Sequence, residues 1–174
     1  MRDNLWAPWR MAYMEQLGRQ EHADRPAPCF LCEAASCKTG TDAARSRLVL
    51  VNDARGLLML NRYPYTNGHL LAAPVAHRAD LPDLDADGRR DLMELAMLGE
   101  QVLRRAVNPQ GFNVGINIGR CAGAGLPGHL HVHVIPRWSG DTNFIETVGQ
   151  VRVVPEALEQ SFARLEATLK DMGE

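Results

Sequence analysis

The stretch Gly128-His129-Leu130-His131-Val132-His133-Val134-Ile135-Pro136-Arg137 places three histidines at alternate positions. Side chains of a β-strand point to opposite faces in turn, so residues two apart share a face. The pattern therefore predicts a strand with the three imidazoles on one face and Leu130, Val132 and Val134 packed into a core on the other. Neutral imidazole serves as a nucleophile, a proton donor or a metal ligand. The pattern indicates an active-site strand.

Two other interpretations of these histidines stay open from the residues alone. They could be polar surface residues, although strict alternation with aliphatic side chains disfavours this. They could also bind zinc together, with a further ligand from elsewhere in the chain.

The stretch resembles the motif of the histidine-triad (HIT) family, His-φ-His-φ-His-φ-φ, in which φ is apolar. Residues 61–71 resemble the nucleotide-binding hairpin of the family, and residues 111–117 resemble the strand that leads into its phosphate loop. The likeness covers about residues 29–138. LWAPWR at residues 5–10 and Trp138 resemble the branch that contains bacterial diadenosine tetraphosphate phosphorylases.

Apolar runs predict five short strands and two long helices. The strands are residues 47–52, 57–61, 69–75, 112–118 and the histidine stretch, and the helices are 87–107, despite Gly99, and 155–172, with Pro155 in the first turn. Hairpins with one long helical crossover predict an α+β fold, in which helices pack on an antiparallel sheet. The resemblance implies the HIT-like architecture, a five-stranded antiparallel sheet with two main helices, usually in a homodimer.

Composition is typical of one compact enzyme. The chain has 174 residues, 45% hydrophobic and 23% charged, with a net charge of −2. We expect a single domain over residues 1–174, with an N-terminal extension over about 1–28 and a C-terminal helix over about 155–172. The charge excludes a broad basic surface for nucleic acid. No signal peptide or membrane span is predicted, so we expect a cytoplasmic protein with reduced thiols.

The resemblance implies a role for each histidine of the motif. His131 is the nucleophile and attacks the α-phosphorus of a nucleotide, a task that suits an imidazole unprotonated at neutral pH. His133 bonds the α-phosphate or the bridging oxygen and assists departure of the leaving group. His129 supports the phosphate side or orients its neighbours.

A glycine-rich loop over residues 118–128 lies between Asn117 and the first histidine of the motif. Glycines let backbone N–H groups approach phosphate oxygens, so we expect Asn117, Ala124 and Gly125 to bind substrate. Many HIT proteins have Gln four residues before the first histidine of the motif, where this chain has Gly125. The small residue favours the phosphorylase-like branch, because it leaves room for inorganic phosphate.

Further nucleotide contacts follow from the resemblance. Asn61 and His69 match positions near the ribose and the base, although a turn-capping Asn and a core His are the alternatives. Leu48 and Leu60 are expected to wall the purine. Trp138 could stack on a second base, or it could belong to the core or to a dimer interface.

Cys29-Phe30-Leu31-Cys32 is a Cys-x-x-Cys sequence, which by itself indicates redox chemistry, a metal or coincidence. The βαβ context of a thioredoxin-type site is absent. Several bacterial HIT proteins bind a structural zinc ion, and the matching ligands here are Cys29, Cys32, His77 and His129. Two Cys and two His complete a tetrahedral zinc site, with Cys37 as a possible substitute. No organic cofactor is expected.

The expected function is nucleotidyl transfer from a dinucleoside polyphosphate through a histidine-bound intermediate, with phosphorolysis of diadenosine tetraphosphate to ATP and ADP as the expected reaction. The partners are then an adenine dinucleotide, inorganic phosphate and a second copy of the chain, or a higher homo-oligomer. Two alternatives stay open. One is a hydrolase or adenosine phosphoramidase that releases AMP, and the other is a nucleotide-binding regulator with little turnover.

Overall fold

The computed structural model describes residues 28–141 and 156–173. The N-terminal residues 5–10, Pro155 and most of the predicted extension lie outside the described residues. The described strands are β1 (Val49–Asp53), β2 (Gly56–Leu60), β3 (Leu70–Ala73), β4 (Gly111–Ile116) and β5 (Val132–Arg137). The helices are α1 (Phe30–Ala35), α2 (Asp42–Ser46), α3 (Ala86–Val107) and α4 (Leu158–Met172), with single 3₁₀ turns at Leu81–Asp83 and Arg120–Ala122. None of these helices is long and apolar enough to cross a membrane.

The strands form one antiparallel sheet in the order β1-β2-β3-β5-β4. The predicted α+β fold with a five-stranded antiparallel sheet and two main helices is therefore confirmed. The short helices α1 and α2 were not predicted, because five or six residues are too few to show a helical period. Gly56 closes the β1–β2 hairpin at a φ of +138°, where a Cβ would lie 2.5 Å from the Ala73 carbonyl oxygen.

The two faces of the sheet carry separate cores. The long helices α3 and α4 pack on one face, around Leu58, Leu60, Leu70 and Val134. Gly99 permits the approach of α3, because a Cβ there would already lie 3.2 Å from a methyl of Leu70. Gly99 lowers the intrinsic stability of α3, but it allows the helix to pack closely on the sheet.

The opposite face carries His133, the last histidine of the motif. Val49, Met59, Leu71 and His133 form one row across β1, β2, β3 and β5, and directly opposed residues share a face. The first three belong to a smaller core beneath α1 and α2. His133 therefore continues an apolar row on the side of the sheet away from α3.

The expectation that Leu48 and Leu60 wall a purine is wrong. Both belong to the core on the α3 side, with 7% and 0% of their surface exposed, respectively. Val49 and Met59, each one position away, lie on the face of His133 instead. A single-residue offset reverses the face of every strand side chain, and a β-bulge between Val49 and Val51 adds such an irregularity to β1.

The predicted histidine strand begins later than its pattern suggests. β5 starts at Val132, so His129 and His131 precede the ladder. The ladder with β3 ends at Ala72 paired with Val132, and Pro74 just beyond β3 has no N–H to extend it. The Leu130 N–H donates to the Arg78 carbonyl at 2.6 Å instead. His129 is thus free to turn towards a different set of side chains from His133.

Candidate functional site

His131 lies at the entrance to β5 with 6% of its surface exposed. Its Nδ1 is 2.8 Å from the backbone carbonyl oxygen of His129. A carbonyl oxygen only accepts, so Nδ1 carries the hydrogen and Nε2 carries the lone pair. Burial lowers the pKa of His131, and the hydrogen bond to His129 opposes this in part. The side chain is therefore a neutral imidazole with an available lone pair on Nε2.

A directional chain of hydrogen bonds sets the proton on His133. The Tyr65 backbone N–H donates to Nδ1 of His69 at 3.2 Å, and the Asn61 side-chain nitrogen lies 3.3 Å from the same atom. Since a backbone N–H only donates, Nδ1 of His69 accepts and Nε2 carries the hydrogen. That Nε2 lies 2.9 Å from Nδ1 of His133. His133 is therefore left with its hydrogen on Nε2.

The two imidazole rings lie side by side, one with a lone pair and the other with a hydrogen on Nε2. The centroids of His131 and His133 are 4.9 Å apart in an edge-to-face arrangement. The side-chain nitrogen of Asn117 lies 3.4 Å from Nε2 of His133. Since both atoms then carry hydrogen, this contact is not a hydrogen bond, but it shows that the loop after β4 borders the same nitrogen. A lone pair on one imidazole beside an N–H on the next can attack an electrophile and stabilise the departing group.

His69 lies behind His133. It is fully buried, and both its ring nitrogens are bonded within the protein. The structure thus places this predicted substrate-binding residue in contact with a histidine of the motif. Burial is the largest effect on His133, and it lowers the pKa to about 4, with repulsion from a charge on His131 as the second cause.

Other predicted substrate residues surround this pair. The Asn61 side-chain oxygen accepts from the Tyr63 N–H at 3.0 Å, so this residue caps its turn. In the loop, Ala124 is 4% exposed and its N–H donates to the Gly119 carbonyl at 3.4 Å. Gly125 is half-buried next to it, and Trp138 is half-buried just after β5.

Tyr65 was not predicted from the sequence as a site residue. Its ring centroid is 4.9 Å from that of His69 and 6.2 Å from that of His133, and the residue is 46% exposed. The sequence feature that could have identified Tyr65 is its position in the turn before His69, four residues earlier in the chain. Neither periodicity nor charge distinguishes this tyrosine from an ordinary turn residue.

The side chains of Cys29, Cys32, His77 and His129 form a group that could hold a metal ion, because their ligand atoms all lie within 4.8 Å of one another. Cys29 immediately precedes α1 and Cys32 lies in its first turn, so both sulfurs face the same way. Nδ1 of His129 lies 3.2 Å from the Cys29 sulfur, and Nδ1 of His77 lies 3.2 Å from the Cys32 sulfur. A tetrahedral zinc ion holds sulfur and nitrogen ligands about 3.5 Å apart.

The hydrogen bonding of His129 suits a ligand. Its Nε2 is 2.9 Å from the Pro74 carbonyl oxygen, so Nε2 carries the hydrogen and Nδ1 turns its lone pair to the sulfurs. Burial lowers the pKa of His129, which keeps the ring neutral. Burial also raises the pKa of Cys32, and the neighbouring Cys29 adds to this. A divalent cation would relieve the repulsion between two thiolates, so the donor set fits a metal.

Cys37 does not join this group. It is buried in the smaller core, and its Sγ donates to the Glu33 carbonyl at 3.5 Å. Gly128 packs against His77, since a Cβ there would lie 3.3 Å from Nε2 of that ring. The glycine-rich loop therefore reaches the ligand group at one end and the paired imidazoles at the other.

Comparisons with known proteins agree with this geometry. The HIT domain family model matches residues 44–140. AP-4-A phosphorylase of Mycobacterium tuberculosis is 37% identical over 168 residues, which cover 94% of this chain and 82% of that protein. Asymmetrical bis(5'-nucleosyl)-tetraphosphatase of Schizosaccharomyces pombe is 34% identical over 47% of this chain and 44% of its own. A solved structure of a Zn-bound histidine triad family protein from Mycobacterium smegmatis matches with a TM-score of 0.65 and 26% identity, covering 83% of this chain and 95% of that one.

His133 is expected to stay uncharged in the folded protein down to about pH 4, well below the ordinary pKa of 6.5. Nitrogen-15 NMR of the imidazoles across a pH series measures this directly. Since the unfolded chain takes up the proton near pH 6.5, the contribution of His133 to stability is complete above that pH and is lost as the pH falls towards 4. A titration midpoint near 6.5 in the folded protein would contradict the prediction.

Proposed function

The chain belongs to the HIT domain family, and from this premise we propose that it is a nucleotidyltransferase that cleaves diadenosine tetraphosphate by phosphorolysis. The observation that carries the proposal is the pair of nitrogens described above, the Nε2 lone pair of His131 beside the Nε2–H of His133. The 37% identical AP-4-A phosphorylase, which aligns with 94% of the chain, supports the choice of substrate.

The first half-reaction transfers AMP to the protein. Nε2 of His131 attacks the α-phosphorus and forms a P–N bond, while the bond from that phosphorus to the bridging oxygen breaks and ATP departs. The N–H of His133 donates to the bridging oxygen as negative charge develops there. The covalent intermediate replaces one difficult displacement by two easier ones.

The second half-reaction uses inorganic phosphate. A phosphate oxygen attacks the same phosphorus, the P–N bond breaks, and ADP leaves with the added phosphate while His131 regains its lone pair. Gly125, where many HIT proteins have Gln, leaves room for this second anion beside the loop. Backbone N–H groups of a glycine-rich loop bind phosphate oxygens without a net charge on the protein.

The remaining predicted residues take supporting roles in this proposal. Asn61 binds the ribose hydroxyls, Asn117 and the loop residues Ala124 and Gly125 border the phosphates, and Trp138 stacks on the second base. His69 acts through His133, because its own nitrogens are already bonded within the protein.

Labelled phosphate tests the acceptor. With diadenosine tetraphosphate and isotopically labelled inorganic phosphate, the label should appear in ADP and not in ATP, and the rate should depend on phosphate. His131→Ala should bind nucleotide with nearly all turnover lost, since no covalent intermediate can form. ATP and AMP as main products, at a rate indifferent to phosphate, would make water the acceptor, as the similarity to the asymmetrical tetraphosphatase would then suggest.

A structural zinc ion is the second part of the proposal, held by Cys29, Cys32, His77 and His129. The donor set and the ligand distances support it, as does the Zn-bound relative from Mycobacterium smegmatis. The ion would tie the start of α1 to the backbone just before β5. His129 is also the residue whose carbonyl orients His131, so the metal would hold the nucleophile in place without contact with substrate.

Elemental analysis of protein purified without chelator should find about one zinc ion per chain. Cys32→Ser should lose the metal and unfold at a lower urea concentration, because metal binding is coupled to folding. Cys121→Ser, which changes an exposed cysteine outside the ligand group, serves as the control and should keep the zinc. Metal-free wild-type protein of unchanged stability would leave the four residues as a hydrogen-bonded cluster of thiols and imidazoles.

A homodimer completes the proposal. β4 ends the strand order of the described sheet, and Val114 on it is 46% exposed. Ile118 just beyond it is 41% exposed. An exposed apolar edge strand is a template for pairing with another chain, and two copies of β4 can pair about a twofold axis.

Sedimentation of the purified protein should therefore give twice the mass of the chain. The double substitution Val114→Lys and Ile118→Lys should give the mass of the monomer, because each chain would bury two charges at the dimer interface. Val75→Lys changes a valine exposed to a similar degree, 48%, outside β4, and it should leave the dimer intact. A wild-type monomer at micromolar concentration would reject this part of the proposal.

A further inference from the structure

Ser161 on α4 is a buried polar residue, with 3% of its surface exposed. The other buried polar residues in the described ranges are His69, His129 and His131. Ser161 is therefore the one member of this set that the proposed function does not use. Its hydroxyl lies 2.7 Å from Oε2 of Glu156 and 2.9 Å from the side-chain oxygen of Asn67. A buried hydroxyl is costly unless it is bonded, so these partners are part of the reason that a serine is tolerated inside the core.

Glu156 joins the serine to a turn far away in the chain. Its Oε2 also accepts from the Asn67 side-chain nitrogen at 3.1 Å, and Oε1 accepts from Arg164 at 2.5 Å. The bond from Asn67 is the largest of the effects that lower the pKa of Glu156, so the carboxylate is charged at neutral pH. We call Asn67, Glu156 and Ser161 the turn-anchoring cluster.

The turn that Asn67 occupies is fixed on two further sides. Thr66 donates its hydroxyl to the Pro136 carbonyl of β5 at 3.0 Å. Gly68 adopts a φ of +77°, and a Cβ there would lie 2.8 Å from a methyl of Leu103 on α3. The turn therefore rests on β5, on α3 and, through the cluster, on α4.

The same turn supplies one of the two donors that decide the tautomer of His69, and the other is the side-chain nitrogen of Asn61, 3.3 Å from Nδ1. Tyr65 lies two residues before Asn67 and His69 two residues after it, and the Tyr65 N–H donates to Nδ1 of His69 at 3.2 Å. Asn61 is itself oriented by the Tyr63 N–H at 3.0 Å, so a movement of residues 63–68 displaces both donors, and Nδ1 of His69 can then take the hydrogen instead. Nε2 of His69 then accepts from Nδ1 of His133, and Nε2 of His133 is left without a hydrogen to donate.

We propose that the turn-anchoring cluster is a positioning device which holds the turn so that His69 keeps its hydrogen on Nε2 and His133 keeps a hydrogen for the leaving group. Helix α4 then helps to position the site as well as to form the core, although it lies more than 90 residues along the chain from Asn67. The effect on turnover rests on the proposed function, whereas the effect on the His69 tautomer stands without it.

Two substitutions loosen the cluster from opposite ends, Asn67→Ala in the turn and Ser161→Ala in α4. Nitrogen-15 NMR should show wild-type His69 with its hydrogen on Nε2, and both variants with a mixture of tautomers. With diadenosine tetraphosphate and phosphate, kcat should fall on the order of tenfold, since a small displacement of reacting groups is costly, while KM stays within about twofold. The double variant should lose little more than either single variant, because the two residues act as one unit.

Two controls separate positioning from general loosening of α4. Thr168→Ala removes another hydroxyl from the same helix, whose bond stays within the helix. Leu165→Ala removes a core side chain that is 1% exposed and costs more stability, while every hydrogen bond of the turn-anchoring cluster is kept. Both should keep the His69 tautomer of the wild type.

An unchanged tautomer in Asn67→Ala and Ser161→Ala overturns the inference, and so does an equal change in Leu165→Ala. If wild-type protein fails to cleave the dinucleotide, the proposed function falls. The NMR comparison, which needs no substrate, still decides the role of the cluster.

Discussion

The hydrogen bond from Nδ1 of His131 to the carbonyl oxygen of His129, 2.8 Å long, is the interaction on which the site depends. It determines which nitrogen of His131 keeps its lone pair. It also makes the ring of His131 depend on the backbone of His129, whose own ring is held by the Pro74 carbonyl and lies against Cys29. His129 and His131 thus connect β5 and the glycine-rich loop to the ligand group of Cys29, Cys32, His77 and His129. Any change that rotates the peptide after His129 is expected to move the ring of His131.

Burial gives His129, His131 and His133 the same protonation state. Five of the six histidines in the chain lie in the site or the ligand group, and His22 lies outside the described residues. Burial is the largest cause that lowers the pKa of His129, His131 and His133, so these rings are neutral at pH 7. Neutral rings can be ordered by hydrogen bonds that run in one direction, whereas charged rings would repel one another. The protein gives up stability in acid for this arrangement, because the unfolded chain protonates first.

Several features of the fold and the site were predictable from the sequence because they are local. Alternation placed His131 and His133 beside each other, and the 3.6-residue period located α3, which runs over Ala86–Val107. The hairpin before β2 followed from its turn residues. The ligand group was implied by the family resemblance, and the structure brings its four side chains together. The strand, the helix and the hairpin could be predicted because each depends on side chains that are close together in the sequence.

The sequence by itself thus determined the class of fold and the histidine motif. Tertiary structure alone decided which face of the sheet received Leu48 and Leu60, since a bulge in β1 and the pairing register set that choice. It also turned His69 from a predicted substrate contact into the neighbour of His133, and it joined Asn67 to Glu156 across 89 positions of the chain. Proton positions on imidazoles depend on donors and acceptors brought from distant segments. The physical reason is that a tautomer is a property of the assembled hydrogen-bond network, and no pattern along one strand contains that network.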